Sequence, residues 1–185
     1  MRRVFLVRHA APAVRPDTPS REWTLSDAGI AEARALAARA ASWNVRAVYS
    51  GDEPKMRGTA LILAEVSGAA VNVVDAFNET SVGGWIANSD AFNELVRAIF
   101  TGDPLPRGVE SGEEAAARFE GGLRIIEQGA FPAAIVSGGR VLTSFVARRR
   151  SGVEDAFAYW RSIPFPGWTS IDLDSPHESV AEFSP

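Results

Sequence analysis

Short unbroken apolar runs alternate along this chain with longer stretches in which apolar residues recur every three or four positions. Val4-Phe5-Leu6-Val7 is one such run, cut off by Arg8-His9. An apolar run of that length without polar alternation describes a strand buried on both faces. Arg46-Ala47-Val48-Tyr49-Ser50, residues 71–74 and residues 133–136 repeat the pattern. Between them, Ser26 is placed to cap a helix over 26–42, with Ile30, Ala33, Leu36, Ala37 and Ala40 along one face. Further helices are expected over 53–66, 91–100 and 141–149. Another starts at Ser111, whose spacing to Glu114 is that of a capping box, and carries an apolar stripe of Ala115, Phe119, Leu123 and Ile126. Residues 11–23 and 75–89 read as loops, 102–108 as a turn-rich segment and 168–173 as a late edge strand.

Strands that alternate with helices and are themselves continuous in apolar character predict a three-layer α/β/α sandwich with a mainly parallel central sheet. The length suits a single domain spanning 1–185. Ligands of such sheets bind beyond the carboxyl ends of the strands, near a topological switch point. Arg8-His9, Ser50 onward and Ser137-Gly138 are therefore the positions to inspect.

Charge narrows what the ligand can be. The formal net charge is −4 and no basic stripe is present, which opposes a nucleic-acid partner or an anionic membrane. An anion bound here has to be small and held by a few local cations. The chain has no cysteine, so disulfides, thiolate metal sites and cysteine nucleophiles are excluded. The apolar run at 4–7 is too short for an export signal, and the cytoplasm is the expected compartment. Self-association is left open.

Arg8-His9 has the chemistry for phosphoryl transfer: a neutral imidazole can attack phosphorus while a guanidinium neutralises its oxygens. A histidine after a strand serves structure as readily as chemistry, and the other segments shift that balance. Leu6-Val7-Arg8-His9-Ala10 resembles the Arg-His-Gly opening of the histidine phosphatase (phosphoglycerate mutase-like) superfamily. Leu25-Ser26-x-x-Gly29 resembles its Leu-Thr-x-x-Gly helix opening, and Tyr49-Ser50 through Lys55-x-x-x-Thr59-Ala60 keeps its Tyr-Ser…Arg-x-x-x-Thr-Ala spacing, with Lys55 at the arginine. Asn78-Glu79 through Gly83-Gly84-Trp85, and Glu110-Ser111 through Arg118, follow in family order. The resemblance covers about 4–150 and implies that His9 becomes phosphorylated. It also implies that Arg8 and Lys55, the chain's single lysine, bind phosphate, and that Glu79 is the general acid; such an acid needs burial to raise its pKa, and Phe77 and Trp85 are the candidates for that apolar wall. Arg15 is a further pocket candidate, backbone N–H groups near Gly139 would complete the phosphate site, and no metal or cofactor is implied.

One position departs from the family. Its second histidine should follow the strand at Ile135-Val136-Ser137, where this chain has Gly138. Arg140 and His177 are the available substitutes, although a helix-surface arginine and an exposed tail histidine are the plainer readings. Two functions follow from the sequence. One is an enzyme hydrolysing or transferring the phosphoryl group of a small metabolite. The other is a degenerate relative that binds a phosphorylated or anionic ligand with little turnover. On the first, restoring a histidine at Gly138 is expected to raise turnover on the order of a hundredfold. The segment from Glu79 to Glu110 is short for a mutase, and Trp85, Phe92 and Trp160 are candidates for the pocket wall or the core.

Overall fold

The computed structural model describes residues 2–149, 153, 155–175, 180 and 182–185. Strand β1 (Arg3–Arg8) leads through a proline-containing loop to helix α1 (Asp27–Ala40), then β2 (Ala47–Ser50), α2 (Pro54–Ser67) and β3 (Val71–Val73). A 3-10 turn, Asp75–Phe77, precedes α3 (Ser89–Thr101) and α4 (Gly112–Ile126). Then come β4 (Ala133–Ser137), α5 (Gly139–Arg149), α6 (Ala156–Ser162) and β5 (Gly167–Asp172). The sheet order is β3-β2-β4-β1-β5. Strands β1 to β4 run parallel, and β5 closes the edge antiparallel to β1.

The period-2 geometry of the strands divides their side chains between two cores. Val4 and Leu6 of β1 and Ile135 of β4 pack with Phe119 and Leu123 of α4 and Leu142 and Phe145 of α5. Phe5, Val7, Ala134 and Val136 face the other way, against Leu36 and Ala37 of α1 and Met56 and Leu63 of α2. This is the expected three-layer arrangement. Since β1 continues into α1 on one face and its neighbour β4 into α5 on the other, the switch point falls between Arg8 and Ser137. These two are direct register partners.

Local chemistry sets the helix ends. Ser26 accepts from the Gly29 N–H, and Ser111 with Glu114 forms the anticipated reciprocal box. Asn88 caps α3 two residues before the expected start, with Oδ1 accepting from the Asp90 and Ala91 N–H groups. Helix α5 begins at Gly139 rather than 141, directly against the strand. Helix α6 was not anticipated. It has seven residues and none of them is buried, so no apolar stripe announces it; Asp155 caps it through the Ala158 N–H. No helix among the described residues is long and apolar enough to cross a membrane.

Two adjacent glycines of α4 give a paired test of the packing. A Cβ on Gly122 would lie 2.5 Å from Phe77 Cε1 and 2.9 Å from Ala76 Cβ, whereas one on Gly121 meets only Arg124 Nη2 at 3.7 Å. Alanine gains about 1 kcal/mol over glycine in a helix interior, and overpacking costs roughly 1–3 kcal/mol. Gly121→Ala is expected to raise the thermal midpoint and Gly122→Ala to lower it in calorimetry.

Candidate active site

His9 emerges from β1 with its backbone N–H bonded to the Ser137 carbonyl at 3.0 Å. Its ring is 4% exposed. Nδ1 lies 2.8 Å from the Ala10 carbonyl, which can only accept, so Nδ1 carries the proton and Nε2 keeps its lone pair. Burial holds the ring well below the ordinary histidine range, at about 3, with Lys55 and Arg8 adding to it against the Ala10 bond and Glu79. The imidazole is neutral at physiological pH. Thr59 fixes the next residue: its Oγ1 accepts the Ala10 N–H at 3.0 Å and donates to the Lys55 carbonyl at 2.9 Å. Gly29 lets α1 seat on the following loop, since any Cβ there would overlap the Ala11 carbonyl oxygen.

Arg8 is held by the segment after α6. Its Nη1 donates to the Ile163 carbonyl, and its Cζ lies 3.4 Å from the centroid of the Phe165 ring. Burial lowers its pKa to about 10, which leaves it cationic. Arg8 Nε, Arg140 Nε and Trp160 Nε1 are buried N–H donors without a partner. All three residues line the same cavity as His9, about 670 Å³ in volume. A Cβ on Gly139 would fall 2.7 Å from Arg8 Nε and 3.1 Å from Trp160 Nε1, so the first residue of α5 has to be bare for these two side chains to close over it. A second, larger cavity of about 880 Å³ adjoins the first and shares Glu79 and Arg140 with it, but it does not reach His9.

Glu79 is pinned from several sides. Arg118, in a two-point ion pair with Glu110, donates to the Ala76 and Asn78 carbonyls, and Glu53 Oε1 accepts the Glu79 N–H at 2.9 Å. The carboxylate sits on the first turn of α5, accepting from the Val141 N–H at 3.0 Å and the Arg140 N–H at 3.2 Å, with the Arg140 guanidinium 3.8 Å away. It accepts also from the Thr80 N–H at 2.8 Å. Burial pushes this carboxyl up, but Arg140 and the Val141, Thr80 and Arg140 N–H groups outweigh it and hold it at about 2. Glu79 is therefore a carboxylate in this state and has no proton to give. The expected apolar wall does not form around it: Phe77 lies in the core beside Phe119, and Trp85 is half exposed against Trp23. Any Cβ on Gly138 would overlap the Glu79 carboxyl and come within 2.7 Å of its Cβ. The space expected for a second histidine is taken by Glu79.

The remaining candidates divide. Lys55 is buried at the cavity wall, but its Nζ is already engaged by Glu53 Oε2 and by the Ser20 carbonyl at 2.6 Å. Arg15 is at the surface, paired with Asp17 at 2.9 Å, and the structure does not bring it to the cavity. Arg140, read as a surface residue, turns inward and donates to the Thr80 carbonyl at 3.0 Å. His177 lies outside the described residues. Sequence reasoning missed Glu53 and the Ile163–Phe165 clamp; the signal for the clamp was the density of aromatics and prolines from Phe157 to Trp168.

A family model of the histidine phosphatase superfamily (branch 1) matches residues 4–183. Among solved structures, a mycobacterial glucosyl-3-phosphoglycerate phosphatase superposes with a TM-score of 0.74 at 20% identity, over 100% of this chain and 98% of that one. A phosphoserine phosphatase from Entamoeba histolytica gives 0.75 at 16% identity, with coverage of 100% and 98%. A putative alpha-ribazole-5'-P phosphatase from Escherichia coli gives 0.74 at 20%, with coverage of 99% and 96%. No curated protein sequence matches the chain significantly.

The Lys55–Glu53 contact makes a stability prediction. Both side chains are at most 10% exposed, so removing one charge strands the other. Lys55→Met is expected to cost about 3–5 kcal/mol. The double variant Lys55→Met/Glu53→Gln should recover much of that loss in urea titrations.

Proposed function

Because the chain belongs to the histidine phosphatase superfamily, we propose that it hydrolyses small phosphomonoesters through a phosphohistidine at His9. One observation carries this reading: a neutral imidazole with Nε2 unprotonated lines a cavity with three residues whose buried N–H donors have no partner. Buried donors are seldom left unpaired in a folded protein, and an oxyanion is the acceptor-rich group that would satisfy several at once. Arg8 and Arg140 supply the positive charge. Lys55 contributes at longer range, with Glu53 balancing it.

In the first step His9 Nε2 forms a bond to phosphorus as the bond from phosphorus to the ester oxygen breaks, and the leaving oxygen takes up a proton. Water then attacks phosphorus and gives a proton back to the group that protonated the leaving oxygen, the N–P bond breaks, and inorganic phosphate and neutral His9 are released. Glu79 enters this scheme by exchange. A phosphate that takes over the α5 N–H groups and Arg140 removes what holds the carboxyl down. Burial and the adjacent dianion then both raise its pKa, and Glu79 becomes able to protonate the leaving oxygen.

The seated carboxylate also favours a second reading, a relative that binds anions with little turnover, since Glu79 already fills the anion position at α5. Glu79→Gln separates the two. On the hydrolase reading, turnover of alkyl phosphates falls by about 10²–10⁴-fold, while inorganic phosphate binds more tightly in calorimetry because its competing charge is gone. Detectable hydrolysis by neither protein would leave only the binding reading.

Gly138→His is expected not to deliver the hundredfold gain anticipated from the sequence. The new side chain must expel Glu79 from α5, so the thermal midpoint should fall and turnover of a small phosphomonoester should not rise. A large gain in a steady-state assay would show that Glu79 yields its place without cost to catalysis.

A further inference from the structure

The cavity over His9 is lined by four cations, Arg8, Lys55, Arg140 and Arg161, and otherwise largely by apolar side chains. Above Arg8, His9 and Arg140 its walls are formed largely by Val14, Trp23, Trp85, Ile86, Phe92 and Phe165. Val14, Trp85 and Phe165, three of the seven exposed large apolar residues among those described, are 57%, 42% and 39% exposed, and all three line this one cavity. Exposed apolar side chains gathered at a cavity, rather than scattered, mark a binding surface. Several of the polar atoms on the same walls are spent within the chain, Trp160 Nε1 and the Ser89 hydroxyl being the exceptions. Trp23 Nε1 donates to the Arg15 and Thr18 carbonyls, Ser162 Oγ donates to the Tyr159 carbonyl, and Lys55 Nζ is held by Glu53 and Ser20. Arg161, the further cation on this wall, is exposed to water and discriminates little between ligands.

We infer that the cavity selects phosphomonoesters of apolar, aromatic-sized alcohols over those of sugars, glycerol or hydroxy acids. This rests on the reading of His9 as phosphoryl acceptor, and it names the substrate class of that site. The phosphoryl end seats on Arg8, Arg140 and the N-terminus of α5, and the alcohol end lies between Trp85, Phe165 and Val14. A volume of about 670 Å³ accommodates a bicyclic or branched apolar group beyond the phosphate. A polyol in the same place would lose water from its hydroxyls and find few free partners, which costs affinity.

The test compares naphthylmethyl phosphate with glycerol 3-phosphate, which both leave as primary alkoxides and so differ mainly in the group beyond the reacting bond. The expected result is a kcat/KM on the order of tenfold or more higher for the naphthylmethyl ester. In parallel, calorimetry with naphthylmethylphosphonate and methylphosphonate reads binding without turnover, and the larger ligand should bind more tightly by a similar factor. Trp85→Ala and, separately, Val14→Ser should each compress both ratios. Equal kcat/KM values and equal phosphonate affinities overturn the inference. No turnover of either ester, with the naphthyl preference kept in binding, removes the hydrolase reading and leaves the apolar class standing. Loss of both turnover and binding preference removes both.

Discussion

Glu79 and the first turn of α5 hold each other, and much of the site follows from that contact. A helix N-terminus presents unpaired N–H groups and a partial positive charge, and among side chains a carboxylate suits it best. Glu79 reaches it because position 138 has no side chain, and because Arg118, Glu53 and the Asp75–Phe77 turn fix the backbone that carries it. Arg140 turns inward to the same carboxylate. The glycine is thus part of a different local solution, in which a carboxylate occupies the space that a histidine would need.

A second clamp sets the other side. Arg8 has no carboxylate partner among the described residues; it is fixed by a carbonyl from the α6–β5 connection and by the face of Phe165. Such contacts orient the guanidinium without neutralising it. Its charge therefore stays uncompensated and its Nε unpartnered within the chain, although the side chain is almost wholly buried. Lys55 shows the opposite arrangement: Glu53 both orients and compensates it.

The strands and the long helices were legible in the sequence because their apolar periods are set by burial on one or both faces. Val4–Val7 and the run at 133–136 led directly to the adjacent strand ends that hold Arg8 and Ser137. The order of motifs likewise led to His9 and Glu79. Their states were not legible. The proton on Nδ1 depends on one carbonyl, and the ionisation of Glu79 on a helix terminus more than fifty residues away along the chain. Arg140 looked like a surface residue because helical periodicity cannot see a carboxylate arriving from a distant loop. Arg15, in a loop with no periodicity at all, had only its family position to recommend it, and Asp17 two residues away captures it.

The antiparallel edge strand has a kinetic meaning. β5 pairs with β1 across most of the chain, Arg3 with Asp172 and Arg8 with Gly167, and the backbone at Trp168 and Ser184 exchanges two further hydrogen bonds. Contacts this remote in sequence raise contact order and slow folding, and β5 is the last strand to be synthesised. During synthesis β1 to β4 are made before Ile163 and Phe165. Until they follow, Arg8 lacks the carbonyl and the ring that clamp it. Arg8 is therefore held in place only once the last strand has docked.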